Sequence, residues 1–139
     1  LINIIRDSNA VECSSMKILR IDGSLYFGSI EKISDYLSNL YDQDDIQYVL
    51  IAADGINFID LAAAEWLTHE IIKWQENRGG IYFSGLKLVS QDVIQKGGFK
   101  EKVGIEIFYK DKRDAITKIH KKIKTPCKVS AFDECKVVD

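Results

Sequence analysis

Two carboxylates stand out for their spacing. Asp54 closes an apolar run, and Asp60 opens a helical pattern six residues later. As a general acid–base pair they would need a cleft, a raised pKa and a nucleophile within reach. The residues between them are Gly55, Ile56, Asn57, Phe58 and Ile59, with no His, Ser or Cys. The simpler reading is structural: Asp60 caps its helix and Asp54 ties down the loop. His69 and His120 each stand alone on a helical pattern and read as packing or surface residues. Cys13, Cys127 and Cys135 lack metal-ligand spacing and form no Cys-x-x-Cys pair. Their odd count favours reduced thiols over a disulfide framework, with a Cys127–Cys135 redox pair as the rival. No catalytic residue, metal site or cofactor is expected.

An anion site is weakly marked. There is no Gly-x-x-x-x-Gly-Lys loop and no Gly-x-Gly-x-x-Gly. A helix N-terminus ordinarily attracts phosphate. Asp54 and Asp60 bring negative charge to the main one and should repel it. Gly28, Ser29 and Lys32 make a friendlier helix start for a nucleotide or other anion, but one lysine is a weak anchor. Nucleotide binding is therefore disfavoured.

The elements that position these residues can be read in order. The run Tyr48–Ala53 is continuously apolar, as in a central parallel strand buried on both faces. After Asp60, Ala63, Ala64, Leu67, Ile71 and Trp74 build one helical stripe, with Ile59 and Ala64 at the staple positions. Arg78-Gly79-Gly80 ends that helix. Upstream, Leu1–Ile5 reads as a strand or the end of a linker helix, and Asp7-Ser8-Asn9 as a turn. Lys17–Phe27 predicts two short strands around an Asp22-Gly23-Ser24 turn. Ser29 then caps a helix carrying Ile30, Ile33, Leu37 and Leu40, which ends in the acidic loop Asp42–Asp45. Downstream, Ile81–Gly85 is a buried strand. Ser90 or Gln91 opens a helix ended by Gly97-Gly98. Ile105–Tyr109 is a last strand, and Asp111 caps a basic helix to about Ile123, stopped by Thr125-Pro126. Strands alternating with helices predict an α/β fold with right-handed crossovers. The expected architecture is a mostly parallel sheet with an antiparallel edge strand, packed against about four helices.

A chain of 139 residues fits one domain. Its net charge of −2 gives no hint of a nucleic-acid partner. The longest apolar run is about six residues, against roughly 20 for a membrane helix. No secretory signal is visible. Because the chain opens on Leu1, a fragment of a longer protein is expected. Charge is unevenly spread: ten acids face Lys32 and Lys73 between Glu31 and Glu76, and eight bases face Asp111 and Asp114 between Lys110 and Lys128. These are two solvated faces, or the basic helix 111–123 meets anionic lipid or an acidic partner.

Asp54 closing a strand, six residues before the Ile59-Asp60 pair, resembles the signature loop of STAS domains, found in anti-sigma-factor antagonists and SulP-type anion transporters. Lys17-Ile18-Leu19-Arg20-Ile21-Asp22-Gly23-Ser24-Leu25-Tyr26-Phe27-Gly28 is similar to the opening of bacterial SulP STAS domains. The matches span roughly Met16 to Ile123. The resemblance implies a STAS-like fold at 16–124, a linker at 1–15 from an upstream membrane region, and a loosely docked tail at 125–139. It also implies a non-catalytic domain at the cytoplasmic face of the inner membrane. There it would regulate, fold or assemble a secondary transporter of sulfate, bicarbonate or a related anion. Its partners would be the transmembrane domain of that parent and a cytosolic regulatory protein.

One departure from the family is informative. Antagonists carry a phosphorylatable Ser just after the Asp, whereas this chain reads Asp60-Leu61-Ala62-Ala63. The switch that adds about two negative charges has no hydroxyl there. The candidate docking loop is Asp54, Ile56, Asn57, Phe58, Asp60, Leu61 and Ala62; its apolar members, with Ile59, form a patch or pack inward. Two rivals stay open: a free-standing partner-switching protein without phosphocontrol, and a small α/β enzyme using Asp54 and Asp60.

Overall fold

The computed structural model describes residues 3–6, 15–100 and 106–123. In chain order the elements are β1 (Asn3–Arg6), β2 (Met16–Leu25), a 3-10 turn (Phe27–Ser29), α1 (Glu31–Tyr41), β3 (Tyr48–Ala52), β4 (Ile56–Ile59), α2 (Leu61–Asn77), β5 (Gly80–Ser84), α3 (Leu88–Lys96), β6 (Phe108–Tyr109) and α4 (Lys112–Lys122). One sheet runs β1-β2-β3-β5-β6, with β4 also on β2. The β1–β2 pair is antiparallel and all others are parallel. The expected α/β architecture with an antiparallel edge is the one found, and the described part of the Leu1–Ile5 segment, from Asn3 onward, is a strand rather than a helix end. The Asp7–Asn9 turn, the three cysteines, the Thr125-Pro126 stop and the tail lie outside the described residues.

The apolar run forms β3 at the sheet centre, where Val49, Leu50 and Ile51 are buried. The helical stripe predicted for α2 is buried in full, from Ala63 to Trp74. Neighbouring residues along a strand face opposite sides, and aromatic rings show which helix covers which side. Phe83 stacks with Phe108, which meets Phe99 just beyond α3. On the other side, Tyr82 lies between Tyr48 and Tyr109, and the Tyr48 hydroxyl donates to the Lys122 carbonyl at the end of α4. So α3 and its neighbour α2 cover one face, and α4 the other.

Four local expectations are corrected. The Asp22-Gly23-Ser24 turn does not form: β2 is a single strand of ten residues. Gly23, at φ 113°, makes a bulge there, and the register shifts between Gly23 and Ser24. That shift lets the first half of β2 pair with β3 and the second half with β4. The supposed loop between Asp54 and Asp60 holds β4 itself, joined to β3 by a tight turn in which the Ile56 amide donates to the Ala53 carbonyl. Ser29 does not cap α1: its hydroxyl accepts from the Tyr26 amide and closes the 3-10 turn, leaving Ile30 as the N-cap. Finally, α3 opens at Leu88 rather than Ser90 or Gln91, because exposed Leu88 and Val89 supply its first turn.

Candidate functional site at the start of α2

Three segments meet at Asp60. Its Oδ1 accepts from the Ala63 amide at 2.8 Å, the expected helix cap. Its Oδ2 accepts from the Phe27 amide at 3.3 Å, and its own amide donates to the Leu25 carbonyl at 2.9 Å. The end of β2, the 3-10 turn and α2 are thus held by one residue.

Asp54 stands at the other end of β4. It is exposed, and its carboxylate lies against Gly85, where φ of +71° and the lack of a Cβ leave room for it. The four residues of β4 put roughly 13 Å of strand between the two aspartates. Paired catalytic carboxylates stand about 3 Å apart in aspartic proteases and about 5–9.5 Å apart in glycoside hydrolases. Asp54 and Asp60 are therefore not brought together as an acid–base pair.

The predicted docking residues split by burial. Ile56 and Ile59 pack inward at 1% exposure, whereas Phe58 and Leu61 are 49% and 53% exposed. Asn57 is exposed, and Asp60 and Ala62 are half-buried. Two residues that the sequence reading did not place in the docking loop join this surface. Tyr26 and Phe27 are both exposed, and the Tyr26 ring lies 5.7 Å from that of Phe58. Their signal was an aromatic pair ahead of Gly28, outside any apolar period. Beside β4, Lys87 Nζ donates to the Ile56 carbonyl at 2.9 Å and sets the start of α3 there. The surface is apolar, with the Asp60 carboxylate tucked beneath it.

The Gly28, Ser29 and Lys32 set lies alongside. The Ser29 hydroxyl is engaged with the Tyr26 backbone, and Lys32 is exposed. The Asp60 carboxylate takes the Phe27 amide that a bound anion would use. Thr68, the one hydroxyl residue from Asp54 to Thr68, is 4% exposed and donates to the Ala64 carbonyl.

A profile of the STAS domain matches residues 7–115. The chain belongs to the STAS domain family. No curated protein matches the sequence. Among solved structures, this STAS domain is similar to the anti-sigma factor antagonist SpoIIAA in its unphosphorylated form, with 14% identity and a TM-score of 0.61 over 90% of this chain and 100% of that one. It is also similar to SLC26A9, with 13% identity and a TM-score of 0.65 over 85% of this chain and 22% of that one. At these identities the likeness is one of fold.

Proposed function

We propose that the chain is the non-catalytic STAS module of a SulP-type secondary anion transporter, held at the cytoplasmic face of the membrane. Its work is to regulate or assemble the membrane-embedded part of that parent. The observation that carries this reading is Leu61, the first residue of α2, half exposed where antagonists of the family place a phosphorylatable Ser. A leucine side chain takes no phosphate, but when exposed it can make a standing contact. The fold likeness to SLC26A9, over 22% of its length, is consistent with a module of a larger protein. No helix of the described residues is long and apolar enough to cross a membrane, so other parts of the parent would do so. Residues 1–15 would lead in from that region, and sulfate or bicarbonate would be the cargo.

A second reading is a free-standing partner-switching protein, favoured by the match to SpoIIAA along that whole chain. Expression of the intact reading frame separates the two. Membrane-bound product whose sulfate or bicarbonate uptake falls when residues 16–124 are removed supports the first. A product that stays out of the membrane fraction and moves no anion supports the second. Incubation with an antagonist kinase and ATP should add no phosphate between Asp54 and Thr68 in mass spectra.

A further inference from the structure

The end of α4 carries a feature that the apolar surface at α2 does not explain. Lys118, Lys121 and Lys122 fall at spacings of three and four, on one face of the helix. With Glu106 and Tyr109 they line an open cavity of about 370 Å³ beside the β6 edge of the sheet. Its floor is rigid. The hydroxyls of Tyr48, Tyr82 and Tyr109 donate to the backbone carbonyls of Lys122, Gly79 and Glu106 at 2.9, 3.1 and 2.9 Å. Those protons are committed, so the donors left to face the cavity are the ammonium groups.

We propose that this cavity binds a phosphate-bearing anion, held by Lys118, Lys121 and Lys122. Three lysines against Glu106 leave two positive charges around the cavity, which matches a phosphate dianion. The volume falls within the range of about 300–1,000 Å³ usual for small-ligand sites. The Arg20–Asp22 and Arg78–Asp44 ion pairs lie elsewhere, and neither engages these lysines.

The helix dipole explains part of the cluster, since cations at a helix C-terminus are favoured. It does not explain Lys118, a turn earlier, or the setting of Lys122. The Lys122 ammonium lies 4.8 Å from the centre of the Tyr82 ring and 3.3 Å from its hydroxyl oxygen, on tyrosine rather than on a carboxylate. Burial lowers its pKa, Glu106 opposes that, and Lys118 adds to it. A lysine kept charged at such a cost is relieved by an anion. The source of the phosphate is either a soluble ester or a lipid headgroup.

The test uses the 139-residue chain with two probes: inorganic phosphate followed by NMR, and sedimentation with phosphatidylcholine vesicles containing phosphatidylinositol phosphate. Saturable shifts at Lys118, Lys121, Lys122 and Tyr109 are expected. The Lys118→Gln/Lys121→Gln variant removes two of the three ammonium groups and should weaken binding by about tenfold or more. Both side chains are exposed, and a melting curve confirms that the variant folds. Lys96→Gln/Lys100→Gln removes as much charge from exposed positions elsewhere and should leave binding unchanged. Capture by vesicles without a response to free phosphate assigns the site to a lipid headgroup; the reverse assigns it to a soluble ester. The proposal is overturned if neither probe binds, or if both double variants weaken binding equally.

Discussion

The Asp60 carboxylate reaches the backbone of Phe27: Oδ2 accepts from that amide at 3.3 Å while Oδ1 caps α2 through Ala63. One short side chain therefore fixes both the helix start and the turn that carries Tyr26 and Phe27. The exposed rings beside Phe58 are held by a carboxylate beneath them rather than by a core of their own.

Asp60→Ala should accordingly lower stability by about 1–2 kcal/mol, toward the upper end for a lost cap because a second segment is released. Urea unfolding measures the loss, and hydrogen exchange at the Phe27 amide should quicken. Asp60→Asn keeps acceptor capacity at the cap and should cost less. Equal stability of the Ala variant and the parent would contradict the two-segment role.

Arg78 makes a second clasp. Its guanidinium, with 11% side-chain exposure, donates to the carbonyls of Tyr41, Ile46 and Gln43 at 2.7, 2.8 and 3.2 Å, and it lies over the Tyr41 ring. It fastens the acidic α1–β3 loop to the end of α2. Arg78→Lys should cost about 2–3 kcal/mol, because one ammonium cannot replace a fork spanning three acceptors. Asp44 is fully exposed at 3.8 Å, so Asp44→Asn should leave stability essentially unchanged. Chemical denaturation of both variants checks the contrast.

Much of this architecture was legible in the sequence where one element decides its own burial. The run at Tyr48–Ala53 and the stripe from Ala63 to Trp74 each report their surroundings through a single period, and Asp60 announces a cap. β4 was not legible. Its burial runs buried, exposed, exposed, buried, and it exists only because β2 changes partner at Gly23. The start of α3 was hidden because Leu88 and Val89 look like core residues and stand in solvent. The roles of Tyr26, Arg78 and Lys122 depend on partners more than 30 residues away. No local pattern carries that information.

Lys122 yields a pH prediction. Its folded pKa lies below the ordinary 10.5, chiefly through burial. The charged form is thus disfavoured in the fold, and the penalty is fully present at neutral pH. It fades as pH rises through the lowered value toward 10.5, where the unfolded chain also loses its proton. Lys122→Met should melt above the parent at neutral pH, and the gap should close in alkaline buffer. Burial raises Tyr48 and Tyr82, which lose their stabilising contribution as pH climbs through 10, but both proteins share that loss. Melting curves across a buffer series read the difference. A gap that is absent at neutral pH would contradict the burial penalty.

Leu61 gives the most exacting test of the proposed docking role. It is 53% exposed at the first position of α2, next in sequence to Asp60, whose carboxylate holds the Phe27 amide. Leu61→Glu places a carboxylate near the positive end of the helix dipole, worth up to about 0.3–1 kcal/mol of stability. Asp60 already occupies that end, so the gain should be at the low limit. An apolar contact with a partner would respond in the opposite sense. It would lose buried area and gain an unpaired charge, a cost of a few kcal/mol. Helix stability and docking therefore move in opposite directions under one substitution. Thermal unfolding of the domain should be unchanged or slightly raised, and anion uptake by the intact parent should fall. A large drop in melting temperature would show that Leu61 works in the core, against its exposure. Normal melting with normal uptake would remove this surface from the mechanism.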